Sequence, residues 1–231
     1  MKNAYIVFKK QLKDTSRNMA LCIQFVMYPV MAAILESAVK IENMPEHFFA
    51  GMFAVMHIGM GPLCVMTAVI AEEKEKNTLR ILLFGGVRPA EYLLGIGTYI
   101  LSACMAGGVV FALLGEYRGK DFLVFMAVMA SGIIVSMLFG AVIGIYSKSQ
   151  VSATAVATPL MMVFAFLPML AMFNKTIARA ADLAYSQQIQ LLFNHLQAGT
   201  AIEPKNLIVI GINFVIAAAG FTYAYRKCGL A

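Results

Sequence analysis

Long apolar segments alternate with short polar ones along the 231-residue chain. Six segments reach the length of about 20 apolar residues that a transmembrane helix needs, and none has a formal charge near its centre. None shows the two-residue alternation of a membrane β-strand. The pattern predicts an all-α, polytopic membrane protein of one domain, with six transmembrane helices at about 19–39, 48–71, 92–115, 122–147, 153–173 and 207–225.

The composition strengthens this prediction. The chain is 61% hydrophobic and 13% charged, whereas a soluble domain is about 45–50% apolar and about 25% charged. A soluble globular enzyme and a disordered chain are therefore both excluded. Six spans and their connections use up the length, so there is no room for a separate soluble domain.

The basic residues are distributed unevenly between the two predicted sides. Of 18 Lys and Arg residues, 12 lie on one side: Lys2, Lys9, Lys10, Lys13, Arg17, Lys74, Lys76, Arg80, Arg88, Lys148, Arg226 and Lys227. The other 6 are Lys40, Arg118, Lys120, Lys175, Arg179 and Lys205. The positive-inside rule puts the first side, with both termini, in the cytoplasm. The net charge of +6 is thus explained by topology and does not indicate nucleic acid binding.

Residues 1–18 have two faces at helical spacing. Tyr5, Phe8 and Leu12 form an apolar face, and Lys9 and Lys13 belong to a basic one. Such a helix can lie in the headgroup plane of the membrane, in contact with lipid. The alternative is that it only prolongs the first span into water.

The loop at 72–91 is the most informative segment. It begins as a charged helical extension, and Asn77 or Thr78 can break and cap it. Residues 79–84 predict a short apolar helix that Gly85 and Gly86 end. A new helix then starts near Pro89. The pattern alone fits a loop on the lipid surface and a segment docked on another protein equally well.

This loop and the overall plan resemble the ABC type-2 exporter permeases. The residues that carry the resemblance are Glu73-Lys74-Glu75, Thr78-Leu79, Leu82-Leu83, Glu91 and Gly95. The amphipathic start, the six spans, the outer loop at 174–206 and the basic tail complete it. Asn77, Arg80 and Ile96 stand where the family usually has glycine, an acid and lysine. Asn tolerates the left-handed backbone that Gly adopts.

The resemblance implies a coupling helix in the 72–91 loop, docked in a groove of a cytoplasmic ATP-binding subunit. Its contact residues would be Thr78, Leu79, Arg80, Leu82 and Leu83, with Glu73 and Glu75 at the entry. Two ATP-binding subunits would join two permeases, the second being another copy or a paralogue. In the resembled family the outer loop forms paired half-helices that dip into the membrane.

The sequence contains no P-loop, Gly-x4-Gly-Lys-Ser/Thr, and so cannot hold nucleotide phosphates in that way. We therefore expect a non-catalytic subunit without a cofactor of its own, with ATP and Mg²⁺ on the partner. The expected location is the bacterial cytoplasmic membrane. The expected cargo is a peptide, antibiotic or amphipathic drug, with polysaccharide or lipid as the alternative.

Polar residues within the spans are candidates for the translocation path: Gln24, Glu36, His57 and Asn213. Ordinary structural roles explain each of them at least as well, namely a hydrogen-bonded core histidine, an interfacial acid and amides that bond between helices.

The fourth predicted span has a stripe of small residues, each four positions from the next, which favours close helix packing. It comprises Gly132, Ser136, Gly140 and Gly144. Packing within the chain is the favoured interpretation, and a dimer interface is the alternative.

Two other functions compete with the exporter permease. A carrier or channel without an ATP-binding partner would often show internal repeats, and the two halves of this chain do not match convincingly. A membrane enzyme would need a catalytic cluster at a common depth, and the sequence shows none.

Overall fold

The computed structural model describes residues 2–39 and 45–227, without the side chains of Lys2, Ser16, Arg17, Ala20, Arg80, Leu83 and Pro89. Lys40 and the side chains of the predicted contact residues Arg80 and Leu83 thus lie outside the described part. The described residues form helices and no strand, so the all-α prediction is confirmed. The helices are α1 (Lys2–Arg17), α2 (Met19–Ala38), α3 (Phe48–Glu75), α4 (Thr78–Phe84), α5 (Pro89–Leu114), α6 (Lys120–Tyr146), α7 (Gln150–Phe173), α8 (Lys175–Ala181), α9 (Tyr185–Gln197) and α10 (Pro204–Lys227).

Six of these helices, α2, α3, α5, α6, α7 and α10, are long and apolar enough to cross a membrane. They coincide with the six predicted spans, and most ends agree within three residues. The largest difference is at α3, which continues to Glu75, four residues past the predicted end. The apolar run stops there, but the charged residues that follow stay helical and bond to neighbouring helices.

Helix α3 lies at the centre of the bundle and contacts α2, α5, α6, α7 and α9. Its closest neighbour is α6, which presents its small-residue stripe to α3. A methyl group on Gly140 would lie 2.5 Å from the carbonyl oxygen of Leu63. The Thr67 hydroxyl donates to the Gly140 carbonyl at 3.0 Å. Gly144 packs on Ile70 in the same way. The stripe in this chain thus packs against another helix of the same chain.

The more basic of the two predicted sides lies at one end of the bundle. The end that we call the basic end holds α1, the last turn of α3, α4 and the α6–α7 turn. The last turn of α3 bonds there to α1 and to the α6–α7 turn. At the opposite end the Ala50 amide, in the first turn of α3, donates to Glu36 of α2 at 3.1 Å. The spans therefore run alternately up and down between the two ends.

Helices α8 and α9 enter the bundle from the opposite end. The Tyr185 hydroxyl, at the start of α9, donates to Ser136 at 3.1 Å, more than halfway along α6 from Lys120. The other end of α9 returns to the surface, where Gln197 lies 3.4 Å from the carbonyl of Glu46. Thirteen helical residues rise about 20 Å, so the segment predicted as an outer loop contributes a buried half-helix.

Candidate coupling site

A tight turn lies at each end of α4. Asn77 has a φ of +57°, a left-handed conformation that Asn adopts more readily than most residues. Asn77 thus adopts the left-handed backbone conformation that the sequence allows at this position. After α4, Gly86 has a φ of +84°, and the amide of Val87 donates to the carbonyl of Leu82 at 3.1 Å. The result is a short helix between two tight turns.

The two faces of α4 have opposite surroundings. Leu79 is only 2% exposed and lines a small apolar pocket with Ile70 and Ile145. Ile81 is 67% exposed and Phe84 is 84% exposed. These two side chains are three residues apart and therefore share one helix face.

The orientation of α4 determines which of the predicted contact residues a partner could reach. Leu79 faces the core of its own chain, so its side chain does not reach a partner in this conformation. Thr78 and Leu82 are half-buried. Among the α4 side chains that the structure describes, the exposed ones are Ile81 and Phe84, which the resemblance did not single out. A continuous apolar run cannot show which of its faces points outward, because both are apolar.

Glu73, at the end of α3, is directed toward α1. Its side chain is buried, and its Oε1 accepts hydrogen bonds from Lys10 Nζ at 2.5 Å and from Gln11 Nε2 at 2.8 Å. Hydrogen bonds to a charged group are stronger than neutral ones. The predicted position at the entry to a partner contact is therefore occupied by a link within the chain.

The next two residues bond to the turn between α6 and α7. Lys74 Nζ donates to the carbonyl of Ile145 and, at 3.0 Å, to that of Ser147, at the end of α6. Glu75 accepts from the Gln150 amide at 2.7 Å, at the start of α7. A cation at a helix C-terminus and an anion at an N-terminus both complement the helix dipole. We call Glu73, Lys74 and Glu75 the charged junction.

Helix α1 also packs on α5. Val7, Gln11 and Thr15 are buried at a spacing of four residues, while Tyr5 and Leu12 of the predicted apolar face are exposed. The contact needs a glycine, because a methyl group on Gly95 would lie 2.7 Å from the carbonyl oxygen of Ala4. The sequence missed this third face of α1, since two of its three residues are polar.

Glu91 secures the start of α5 beside α1. Its carboxylate accepts from Asn3 Nδ2 at 3.0 Å and from the Arg88 amide at 3.2 Å. The second bond caps the helix, with the carboxylate near the positive end of the helix dipole. The start of α1 and the first turn of α5 are thus joined at the basic end.

The four candidate path residues lie at different depths and are not brought together. Each bonds to a neighbour in the same chain. Their partners are Cys64 Sγ for Gln24 (3.2 Å), the Ala50 amide for Glu36 (3.1 Å), the Cys104 carbonyl for His57 (3.3 Å) and the Leu183 carbonyl for Asn213 (2.9 Å). His57 is also enclosed by Tyr28 and Phe111. In this conformation all four residues connect helices or loops of one subunit.

Comparison with known proteins agrees with this architecture. Residues 4–224 match the family model described as ABC-2 family transporter protein. No curated protein matches the chain. The match covers five of the six spans in full, α10 up to three residues before its end, the charged junction and α4. A multi-pass membrane subunit of this family implies an ATP-binding cassette partner. The chain therefore belongs to the ABC-2 family of transporter proteins.

Proposed function

We propose that this chain is the permease subunit of an ATP-driven exporter and that α4 is its coupling helix. The observation that carries the proposal is the exposed apolar face of Ile81 and Phe84 at the basic end. Large apolar side chains outside the spans mark protein–protein or membrane contacts, and buried aromatic side chains often dominate such contacts. In an ABC-2 chain, the expected occupant is the ATP-binding subunit.

The charged junction would connect movement of α4 to the membrane-spanning helices. Helix α4 follows the junction after only two residues, Lys76 and Asn77. A displacement of α4 therefore acts on α1 through Glu73, and on the α6–α7 turn through Lys74 and Glu75. The three residues would transmit the closure of the ATP-binding subunits to the spans.

The proposed assembly has two permeases, copies or paralogues, and two ATP-binding subunits that hold ATP and Mg²⁺. Both termini would lie in the cytoplasm of a bacterial cell. Cargo would move outward between the permeases, along exposed span faces such as Ile23, Val26 and Val30 of α2. These uncharged faces support a peptide, antibiotic or amphipathic drug as cargo, with a lipid or polysaccharide as the alternative.

Replacing Phe84 tests the docking face. Phe84→Asp puts a charge in the centre of the contact, and Phe84→Leu keeps the face apolar as the matched control. Loss of an aromatic anchor costs about 2–4 kcal/mol, so the subunit should bind roughly 30-fold to 1,000-fold more weakly. The measurement is the affinity of the purified ATP-binding subunit for the permease in nanodiscs. Unchanged binding by Phe84→Asp would contradict the assignment.

A further inference from the structure

A pocket of about 440 Å³ lies at the end of the bundle opposite the basic end, between the start of α3, the end of α7 and α9. The distribution of basic residues predicts that this end faces outward. The volume falls within the range of about 300–1,000 Å³ seen for ligand pockets. The side chains important for its chemistry are those of Glu46, Phe48, Met172, Gln190, Asn194 and Gln197. Asn194 and Gln197 are exposed, so the pocket opens to the surface.

Amide side chains form one face of α9. Four amide residues are spaced by three, four and three positions and therefore share this face. They are Gln187, Gln190, Asn194 and Gln197, and the last three line the pocket. Gln187 and Gln190 are buried, with only 8% and 9% of their surface exposed. Burying an amide is unfavourable unless the amide is hydrogen-bonded, so apolar residues would pack α9 into the bundle at a lower cost.

The hydrogen-bonding capacity of this face is only partly used within the chain. Gln190 Nε2 donates to Asn194 Oδ1 at 3.0 Å, and Gln197 Nε2 lies 3.4 Å from the carbonyl oxygen of His47. Each amide has two N–H donors and an oxygen with two lone pairs. Among the described residues, no hydrogen bond reaches the buried Gln187 Oε1. Donors and acceptors are therefore both left for a ligand.

Gly51 of α3 keeps the pocket open beside these amides. Beyond the adjacent backbone of α3, Gln190 Nε2 is the one described atom within 4 Å of a methyl group placed on Gly51, and it lies 4.0 Å away. Close helix packing therefore does not require glycine here, in contrast to Gly140. A glycine inside a helix also destabilises it relative to alanine. The glycine at this position is explained by the space that it leaves in the pocket.

The charges around the pocket disfavour an anionic ligand. Among the lining residues that the structure describes, the one charged side chain is that of Glu46, at the exposed rim. A phosphate or carboxylate group would meet this carboxylate and would find no lysine or arginine in the lining. An uncharged group with donors and acceptors, or one that carries an ammonium, fits better.

We propose that this pocket binds a peptide segment, with the amides of α9 bonded to its peptide groups, and that the cargo is therefore a peptide. The proposal rests on the function proposed above and names its cargo class. A peptide unit has one N–H donor and one carbonyl acceptor, and the amide side chains match both. Phe48 and Met172 offer apolar surface to the side chains of the peptide, and Glu46 would complement its ammonium groups. An oligosaccharide would also bond to the amides but would gain nothing from Glu46.

The test measures how a ligand protects a cysteine at the rim of the pocket. Ala198 lines the pocket and is exposed, so Ala198→Cys should react with a hydrophilic maleimide when the permease is held in nanodiscs. The parent chain measures the reaction of the native cysteines. Trialanine amide with a free amino terminus should slow the labelling. Maltotetraose, or phosphatidylglycerol in place of phosphatidylcholine in the nanodisc, should not.

Two pairs of variants in the Ala198→Cys chain connect the protection to the pocket. Gly51→Leu extends a side chain into the pocket and should raise the peptide concentration for half-protection at least about tenfold, whereas Gly51→Ala should change it less than about twofold. Gln190→Leu removes a hydrogen-bonding amide and should raise this concentration about fivefold to tenfold. Gln150→Leu makes the same change outside the pocket, at the start of α7, and should leave it unchanged.

Several outcomes would overturn the peptide proposal. They are absence of protection by the peptide, protection by the oligosaccharide or by phosphatidylglycerol instead, and equal protection in Gly51→Leu and Gly51→Ala. None of them depends on the ATP-binding subunit, because the assay contains the permease alone. The proposed function fails separately, if Phe84→Asp binds that subunit like the wild type.

Discussion

The middle of α3 and its basic end are attached to their neighbours in different ways. In the middle of the bundle α3 meets α6 backbone to backbone, as at Gly140 and Leu63. At the basic end it is attached by long side chains, such as Glu73 to Lys10. At a glycine contact the two backbones touch directly, so any displacement of one helix either creates a clash or leaves a gap. Hydrogen-bonded side chains can follow a shift by changing rotamers. The comparison indicates a rigid centre and a terminal part that can move with α4.

The largest expected effect is at the glycine contact. Gly140→Ala would place a methyl group 2.5 Å from the Leu63 carbonyl oxygen, and neither backbone can move without separating the helices. Overpacking of this kind costs about 1–3 kcal/mol, so the melting temperature should fall by several degrees. Gly211→Ala is the control, because no atom lies within 4 Å of the added methyl group. Equal melting temperatures for the two variants would show that the contact at Gly140 is not tight.

Breaking the charged junction should cost less stability. Glu73→Gln removes the charge that Lys10 and Gln11 share. Removing one partner of a buried pair costs up to about 3–5 kcal/mol, but the Lys10 side chain is 32% exposed and can turn to water. We expect about 1–2 kcal/mol in thermal unfolding of the purified permease. A loss larger than that of Gly140→Ala would reverse the order of the two regions.

Two variants of Asn77, in the turn before α4, distinguish the effect of backbone strain from that of lost side-chain contacts. Asn77→Val places a β-branched residue at a φ of +57°, which costs about 1–2 kcal/mol. Asn77→Gly removes the side chain without strain and should be neutral within about 0.5 kcal/mol. The comparison of both variants in thermal unfolding isolates the backbone effect. An equally stable Asn77→Val would show that the turn adapts.

The smallest effect is expected at Lys76, beside the junction. The hydrogen bond and charge of Glu72 raise the pKa of Lys76 from 10.5. A lysine whose pKa is higher in the folded state than in the unfolded state stabilises the fold. This contribution is complete below the unfolded-state pKa and is lost as the pH rises through the folded-state pKa. The contribution is therefore constant from pH 6 to pH 9. Because the pair is exposed, Lys76→Gln should leave the melting temperature unchanged over that range. A pH-dependent difference there would indicate a second partner.

The sequence predicted the spans more completely than the site. Apolar runs define the spans because a charge at mid-bilayer is costly, and α4 follows from the turn residues Asn77 and Gly86 that flank it. The inward turn of Leu79 could not be predicted, because it depends on α3 and α6, which are distant in sequence. The same holds for Glu73, whose partner is 63 residues away. The half-helix α9 was expected from the resemblance alone. The residue pattern does not show its burial, because its buried face contains four polar residues, Ser186, Gln187, Gln188 and Gln190.

The central claim is that the junction transmits motion from α4 without being the contact with the ATP-binding subunit. The most direct measurement is cargo transported per ATP hydrolysed in proteoliposomes that contain the complete complex, compared for wild type, Glu73→Gln and Phe84→Asp. The account predicts that Glu73→Gln retains the ATP-binding subunit and hydrolyses ATP but transports less cargo per ATP. Phe84→Asp should lose the subunit. Loss of the subunit by Glu73→Gln, or an unchanged ratio of transport to hydrolysis, would contradict the account.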